Sequence, residues 1–187
     1  MWEQVQKTDE EIAKSVQSGN TDVFGILVEL YEEKIKRYAR KFLSGQEDIK
    51  DVVQNIFIKA YENIQSFDTN RKFSSWLYRI AHNELVNALK KKKRSPLLFF
   101  DFDTFFPYPV EKSDPVQKVE FQEMRQILDK CLGKLDSKYR EPLILYYFEE
   151  LGYKEIADVL RIPISTVGIR LKRGREILKS IYQKLNQ

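Results

Sequence analysis

The sequence predicts an all-α protein of two small helical domains joined by a linker. Three observations lead there. Apolar residues recur at i, i+3, i+4 and i+7 along most of the chain, the period of a helix buried on one side. Glycine and proline, which punctuate strands and turns, number only 7 and 6 in 187 residues. The periodicity lapses once, at Ser95, in a stretch that holds Pro96, Pro107, Pro109 and Pro115. Residues 1–94 therefore form one domain, 95–118 the linker and 119–187 the second domain.

The elements follow in order. Thr8-Asp9 caps a short first helix and Gly19-Asn20 closes it. A second helix spans about Asp22 to Leu43, with Phe24, Leu27, Val28, Leu30, Tyr31, Ile35, Tyr38, Ala39 and Phe42 as its apolar members. A third spans about Glu47 to Ile64, and its stripe is the cleanest: Ile49, Val52, Val53, Ile56, Phe57, Ala60, Tyr61 and Ile64. Ile58 falls off that stripe, beside Asp51, Gln54 and Asn55. The acids Glu47, Asp48 and Asp51 stand at the helix start, where negative charge is favourable. After a polar loop, 65–72, a fourth helix runs from Ser74 or Ser75 to about Arg94 and buries Trp76, Leu77, Ile80, Ala81, Leu85, Ala88 and Leu89. Beyond the linker, helices are expected from about Val116 to Leu132 and from Ser137 to about Glu150. The cap of the latter comes from Leu-Asp-Ser before Lys138, and Pro142 sits early, where its missing donor costs least.

The segment 153–181 reads YKEIADVLRIPISTVGIRLKRGREILKSI. A short helix from about Tyr153 to Leu160 turns on Ile156, Ala157 and Leu160. Arg161-Ile162-Pro163 breaks it, because proline suits only the first turn of a new helix. The next helix turns Ile164, Val167, Leu171, Gly174, Leu178 and Ile181 inward. It carries Arg170, Lys172, Arg173, Arg175, Lys179 and Lys184 against Glu176. Helix, tight turn and cationic helix make a helix-turn-helix that enters the DNA major groove, or a helical hairpin with a solvated basic face. Ser165 and Thr166 stand where they reach base edges or phosphates. Gly174 lies on the inward stripe, as close helix packing requires; Gly168 lies off it.

A second basic surface lies between Arg71 and Ser95, where eight cations (Arg71, Lys72, Arg79, Lys90–Lys93, Arg94) meet one acid, Glu84. With Phe67, Phe73, Trp76, Tyr78 and Asn83 alongside, this surface suits unstacked single-stranded bases, unless the aromatics are core. The lone His82 reads as a surface residue. The linker carries Phe99, Phe100, Phe102, Phe105, Phe106 and Tyr108 among acids, too apolar for a freely solvated tether.

Composition closes other routes. The net charge is +4, so basicity matters through its location. The single Cys131 excludes an internal disulfide and a cysteine zinc cluster, and its place between Leu128 and Leu132 reads as a buried thiol. No apolar run of about 18 residues and no signal peptide is present, so membrane insertion is not expected and a cytoplasmic setting is. No phosphate-binding glycine loop, metal-ligand spacing or nucleophile–base pair occurs, so neither catalysis nor a cofactor is expected.

Four stretches, EDIKDVVQNIFIKAYENI at 47–64, SFDTNRKFSSWLYRIAHNELVNALKKKKR at 66–94, LDSKYREPLILYYFEELGYKEIADVL at 135–160 and IPISTVGIRLKRGREIL at 162–178, resemble the extracytoplasmic-function sigma factors of bacterial RNA polymerase. The resemblance implies a sigma region 2 bundle at 1–94 and a sigma region 4 helix-turn-helix domain at 119–187. It implies that Asp48, Asp51, Gln54, Asn55 and Ile58 dock on the clamp helices of the largest polymerase subunit. It implies that the loop 66–73 captures a flipped base of the −10 strand through Phe67, Asp68, Asn70, Arg71, Lys72 and Phe73. Arg79 and Asn83 would face neighbouring −10 bases, with Lys90, Lys91, Lys93 and Arg94 on the upstream phosphates. Ser165, Thr166, Arg170, Lys172, Arg173 and Arg175 would contact the −35 duplex. The implied partners are core polymerase, promoter DNA and an anti-sigma factor, and the chain itself would make no bond. A dimeric operator-binding regulator would explain 153–181 but leave the 66–94 cluster idle.

Overall fold

The first helix of the first unit starts on a local signal in the sequence. In the computed structural model the residues described are 7–43, 45–91, 127, 128 and 130–185. Helix α1, Asp9–Gln17, opens with a reciprocal capping box. Thr8 Oγ1 accepts from the Glu11 N–H at 3.2 Å, and the Glu11 carboxylate accepts from the Thr8 N–H at 2.8 Å. It buries Ile12, Ala13 and Val16. Gly19, at φ 101°, makes the left-handed turn that follows. A 3-10 turn, Thr21–Val23, leads into α2, Phe24–Ala39, where one helix was expected from Asp22 to Leu43. Helix α3, Gln46–Glu62, buries Ile49, Val53, Ile56, Phe57 and Ala60. A second 3-10 turn, Ile64–Ser66, precedes α4, Phe73–Lys91. The expected end of that helix at Arg94 lies outside the described residues.

Helix α1 ties this unit together. The Gln17 amide donates to the carbonyls of Ile64 at 2.7 Å and Phe67 at 2.8 Å, and Glu10 accepts from the Phe73 N–H at 3.0 Å. The loop 67–72 and the start of α4 are thus held from α1, more than 45 residues away in sequence.

In the second unit, residues 127, 128 and 130–133 are helical; the expected start near Val116 and the linker lie outside the described residues. Helix α5, Ser137–Tyr147, is capped by Asp136, which accepts from the Lys138 N–H at 2.9 Å. Helix α6, Tyr153–Leu160, buries Ile156, Ala157 and Val159. Arg161 then takes a left-handed conformation, φ 53°, and α7, Ile164–Leu185, begins after Pro163. Val167, Leu171 and Gly174 form its buried face; Ile164, expected inward, is 47% exposed. A Cβ on Gly174 would stand 3.0 Å from Leu143 Cδ1 and 3.2 Å from the Tyr139 carbonyl, so α5 and α7 touch where glycine leaves room.

The two units pack together, α4 lying against α6, and one buried apolar cluster runs through both. At the seam the Glu149 carboxylate is fully buried. It pairs with Lys41 Nζ at 2.8 Å and Arg37 Nη2 at 3.0 Å, and accepts the Tyr78 hydroxyl. His82 Nδ1 lies 2.6 Å from Glu141, so this histidine belongs to the interface and not to open surface. Cys131 is buried, as its spacing implied, and burial pushes its thiol pKa up.

Candidate nucleic-acid interface

The first surface is built on the loop between the second 3-10 turn and α4. Asp68 Oδ1 accepts from the Asn70 backbone N–H and side-chain amide, both at 3.0 Å, which folds the loop back on itself. Asp68, Asn70, Arg71 and Lys72 are left exposed. Phe67, Phe73 and Trp76 sit beneath, buried, with ring centroids 5.2–5.6 Å apart. Phe67 and Phe73 therefore form the floor of the loop and present no open face for stacking in this structure. Ser66, Phe67, Asp68, Arg71, Ser75, Trp76 and Arg79 line a cavity of about 90 Å³, together with Asp158 of α6. Asn83, one turn beyond the half-buried Arg79, is exposed, as are Lys90 and Lys91 at the end of α4. Lys93 and Arg94 lie outside the described residues.

The second surface is the outer side of α7. At 100° per residue, Ser165, Ile169 and Lys172 point away from the buried face. Thr166 and Arg173 flank them on one side and Arg175 on the other. Arg170 is half-buried at the edge of the packed face. The Arg175 guanidinium donates to the Tyr147 hydroxyl at 3.3 Å, turning it toward α5. The six expected contacts therefore do not share one face. Sequence reading also missed Ile169, which is 53% exposed amid the cations. Its place off the Val167–Leu171–Gly174 stripe was the available signal. A Cβ on Gly168 would meet the Tyr153 ring at 3.6 Å, an ordinary contact.

The third surface is on α3. Asp51, Gln54, Asn55 and Ile58 are exposed and share one side, with Asp48 half-buried at its start. Tyr61, expected inward, is 43% exposed and meets Phe24 edge-on at 5.2 Å, beside Ile58.

These units coincide with two known families of sequence. The family described as Sigma-70 region 2 matches residues 27–95, and Sigma-70, region 4 matches 125–178. The ECF RNA polymerase sigma factor SigW of Bacillus subtilis (strain 168) is 37% identical over 174 residues, 89% of this chain and 92% of that protein. The chain belongs to the extracytoplasmic-function sigma factors. As a sigma factor it directs promoter-specific transcription initiation by RNA polymerase. The ECF RNA polymerase sigma-E factor of Escherichia coli (strain K12) is 33% identical over 187 residues, covering 96% of this chain and 97% of that protein. The solved structure of CnrH in complex with the cytosolic domain of CnrY superposes with a TM-score of 0.69 at 27% identity, covering 94% and 97% of the two chains. No helix among the described residues of this sigma factor is long and apolar enough to cross a membrane.

Proposed function

We propose that this sigma factor holds the unpaired −10 strand on the loop 66–73 and the outer side of α4. In the same reading α7 reads the −35 duplex, and the outer side of α3 docks on the clamp helices of the largest polymerase subunit. The observation that carries this is the separation of three exposed polar faces on three elements, each backed by buried packing. On the first, Arg71 and Arg79 rim a small cavity floored by aromatic rings, and Asn83 lies one turn on. A flipped base needs such a pocket, with amide and guanidinium donors at its mouth. On the second, Lys172 and Arg173 hold phosphates while Ser165, Thr166 and the exposed Ile169 meet base edges, the last a partner for a thymine methyl. Lys90 and Lys91, with Lys93 and Arg94, follow the backbone upstream.

The chain works in the cytoplasm and does no chemistry; the polymerase makes the bond. An anti-sigma factor is its natural antagonist.

The test is transcription by purified core polymerase with the chain on a promoter library. Initiation that depends on the chain supports the reading; operator binding by the chain alone, with no effect on initiation, overturns it. Asn83→Ala is expected to weaken −10 discrimination while core pull-down persists. Ile58→Glu is expected to lose core pull-down, because a charge replaces the apolar centre of the α3 face.

A further inference from the structure

Two promoter elements named −10 and −35 are centred about 25 base pairs apart, which is about 85 Å of duplex. The two units here cannot span that distance. Arg71, on the −10 surface, forms an ion pair with Asp158 of α6. Ser165 is seven residues from Asp158, so the start of the reading helix lies no more than about 25 Å from that pair. The structure is therefore a closed state, and binding both elements requires the units to part.

We propose that in the free chain the helix-turn-helix unit occupies the −10 surface and shuts it against single-stranded DNA. The proposal rests on the −10 reading given above. Asp158 places its carboxylate in the wall of the cavity formed by Ser66, Phe67, Asp68, Trp76, Arg71 and Arg79. There it takes the seat a phosphate or base edge would take at Arg71. The pair is half-exposed, with side chains 51% and 39% accessible, so by itself it is weak and displaceable.

What holds it in place lies elsewhere on the seam. Glu149, immediately before the loop into α6, has no exposed side-chain surface, and Lys41 has 1%. Their pair, with Arg37 and the Tyr78 hydroxyl, joins α2 and α4 to the second unit. A second polar contact, His82 to Glu141, joins α4 to α5. Buried charges joined this way tolerate little displacement, so α6 stays seated on α4 while the pair is intact. Opening is then a two-state event that DNA or polymerase selects.

The test is fluorescence anisotropy with the full chain, without polymerase, and a labelled single-stranded −10 oligonucleotide beside a scrambled one. Asp158→Asn removes the occupying carboxylate at an exposed site. Glu149→Gln breaks the seam without altering the Arg71–Asp158 pair itself. Asp22→Asn, an exposed acid outside the seam, makes the same change in net charge and serves as control. Both variants are expected to bind the −10 strand about fivefold or more tighter than the wild type, Glu149→Gln because affinity scales with the open fraction and Asp158→Asn because it frees Arg71 of the competing carboxylate while the seam stays shut. The control is expected to stay within about twofold of the wild type. The proposal is overturned if either seam variant binds like the wild type, or if Asp22→Asn gains as much. Tighter binding of both oligonucleotides alike in the seam variants only would keep the closed state and instead remove the −10 reading.

Discussion

Two glycines on α7 make opposite demands. A Cβ on Gly174 would press on Leu143 and on the Tyr139 carbonyl, and the backbone atom cannot rotate aside. Gly174→Ala is expected to destabilise the chain by about 1–3 kcal/mol, as overpacked sites do. A Cβ on Gly168 meets only ordinary contact, so Gly168→Ala should gain helix propensity, up to about 1 kcal/mol. Urea unfolding of both variants checks the pair; equal shifts would show that α5 and α7 are not in contact at Gly174. The role of Gly174 was legible in the sequence, because the residue sits on a periodic apolar stripe. That of His82 was not. Its partner, Glu141, is 59 residues away on the other unit, and no local pattern reports such a pairing. Phe67 and Phe73 show the same limit: aromatics beside cations look alike whether the rings face bases or the core, and here they face the core.

At the scale of elements, α1 supports the −10 loop through a few hydrogen bonds, so its stability should be felt there. Thr8→Ala removes half of the capping box and is expected to cost about 1 kcal/mol. Because Gln17 and Glu10 hold the backbone at Ile64, Phe67 and Phe73, fraying α1 loosens that loop first. Hydrogen exchange should show faster exchange at 64–73 with little change in α5 to α7. Uniform acceleration across the chain would mean that α1 supports global stability and not this loop. The helices themselves were legible because apolar spacing at 3.6 residues is a strong local signal. Their 3-10 flanks were not, since a tightened turn leaves no periodic trace. Nor were Leu30 and Tyr61, apolar in sequence yet 46% and 43% exposed, because amphipathic spacing does not say where a neighbouring helix stops covering the face.

At the scale of the whole molecule, the seam makes the closed state dependent on one carboxylate. Lys41 and Arg37 contribute from α2 and the turn after it, Tyr78 contributes from α4, and Tyr38 and Glu141 lie near. Burial alone would push the Glu149 pKa up; the two cations, with their hydrogen bonds and that of Tyr78, outweigh it and hold it below its usual 4.5. The sign follows. A carboxyl whose folded value lies below its unfolded one stabilises the closed state fully above about pH 4.5. That contribution fades as pH falls through the lower folded value. Energy transfer between dyes on α3 and α7 is therefore expected to stay flat from pH 8 to about 5 and to drop on further acidification, while helicity persists at the onset. Glu149→Gln should already show low transfer at pH 7, since breaking one side of a buried pair costs about 3 kcal/mol or more. Asp158→Asn should keep high transfer at neutral pH, because its pair is exposed and holds the −10 surface without holding the seam. A wild-type chain that keeps full transfer well below pH 4.5, or a Glu149→Gln chain that stays closed at pH 7, would place the hold on the apolar packing of α4 against α6 instead.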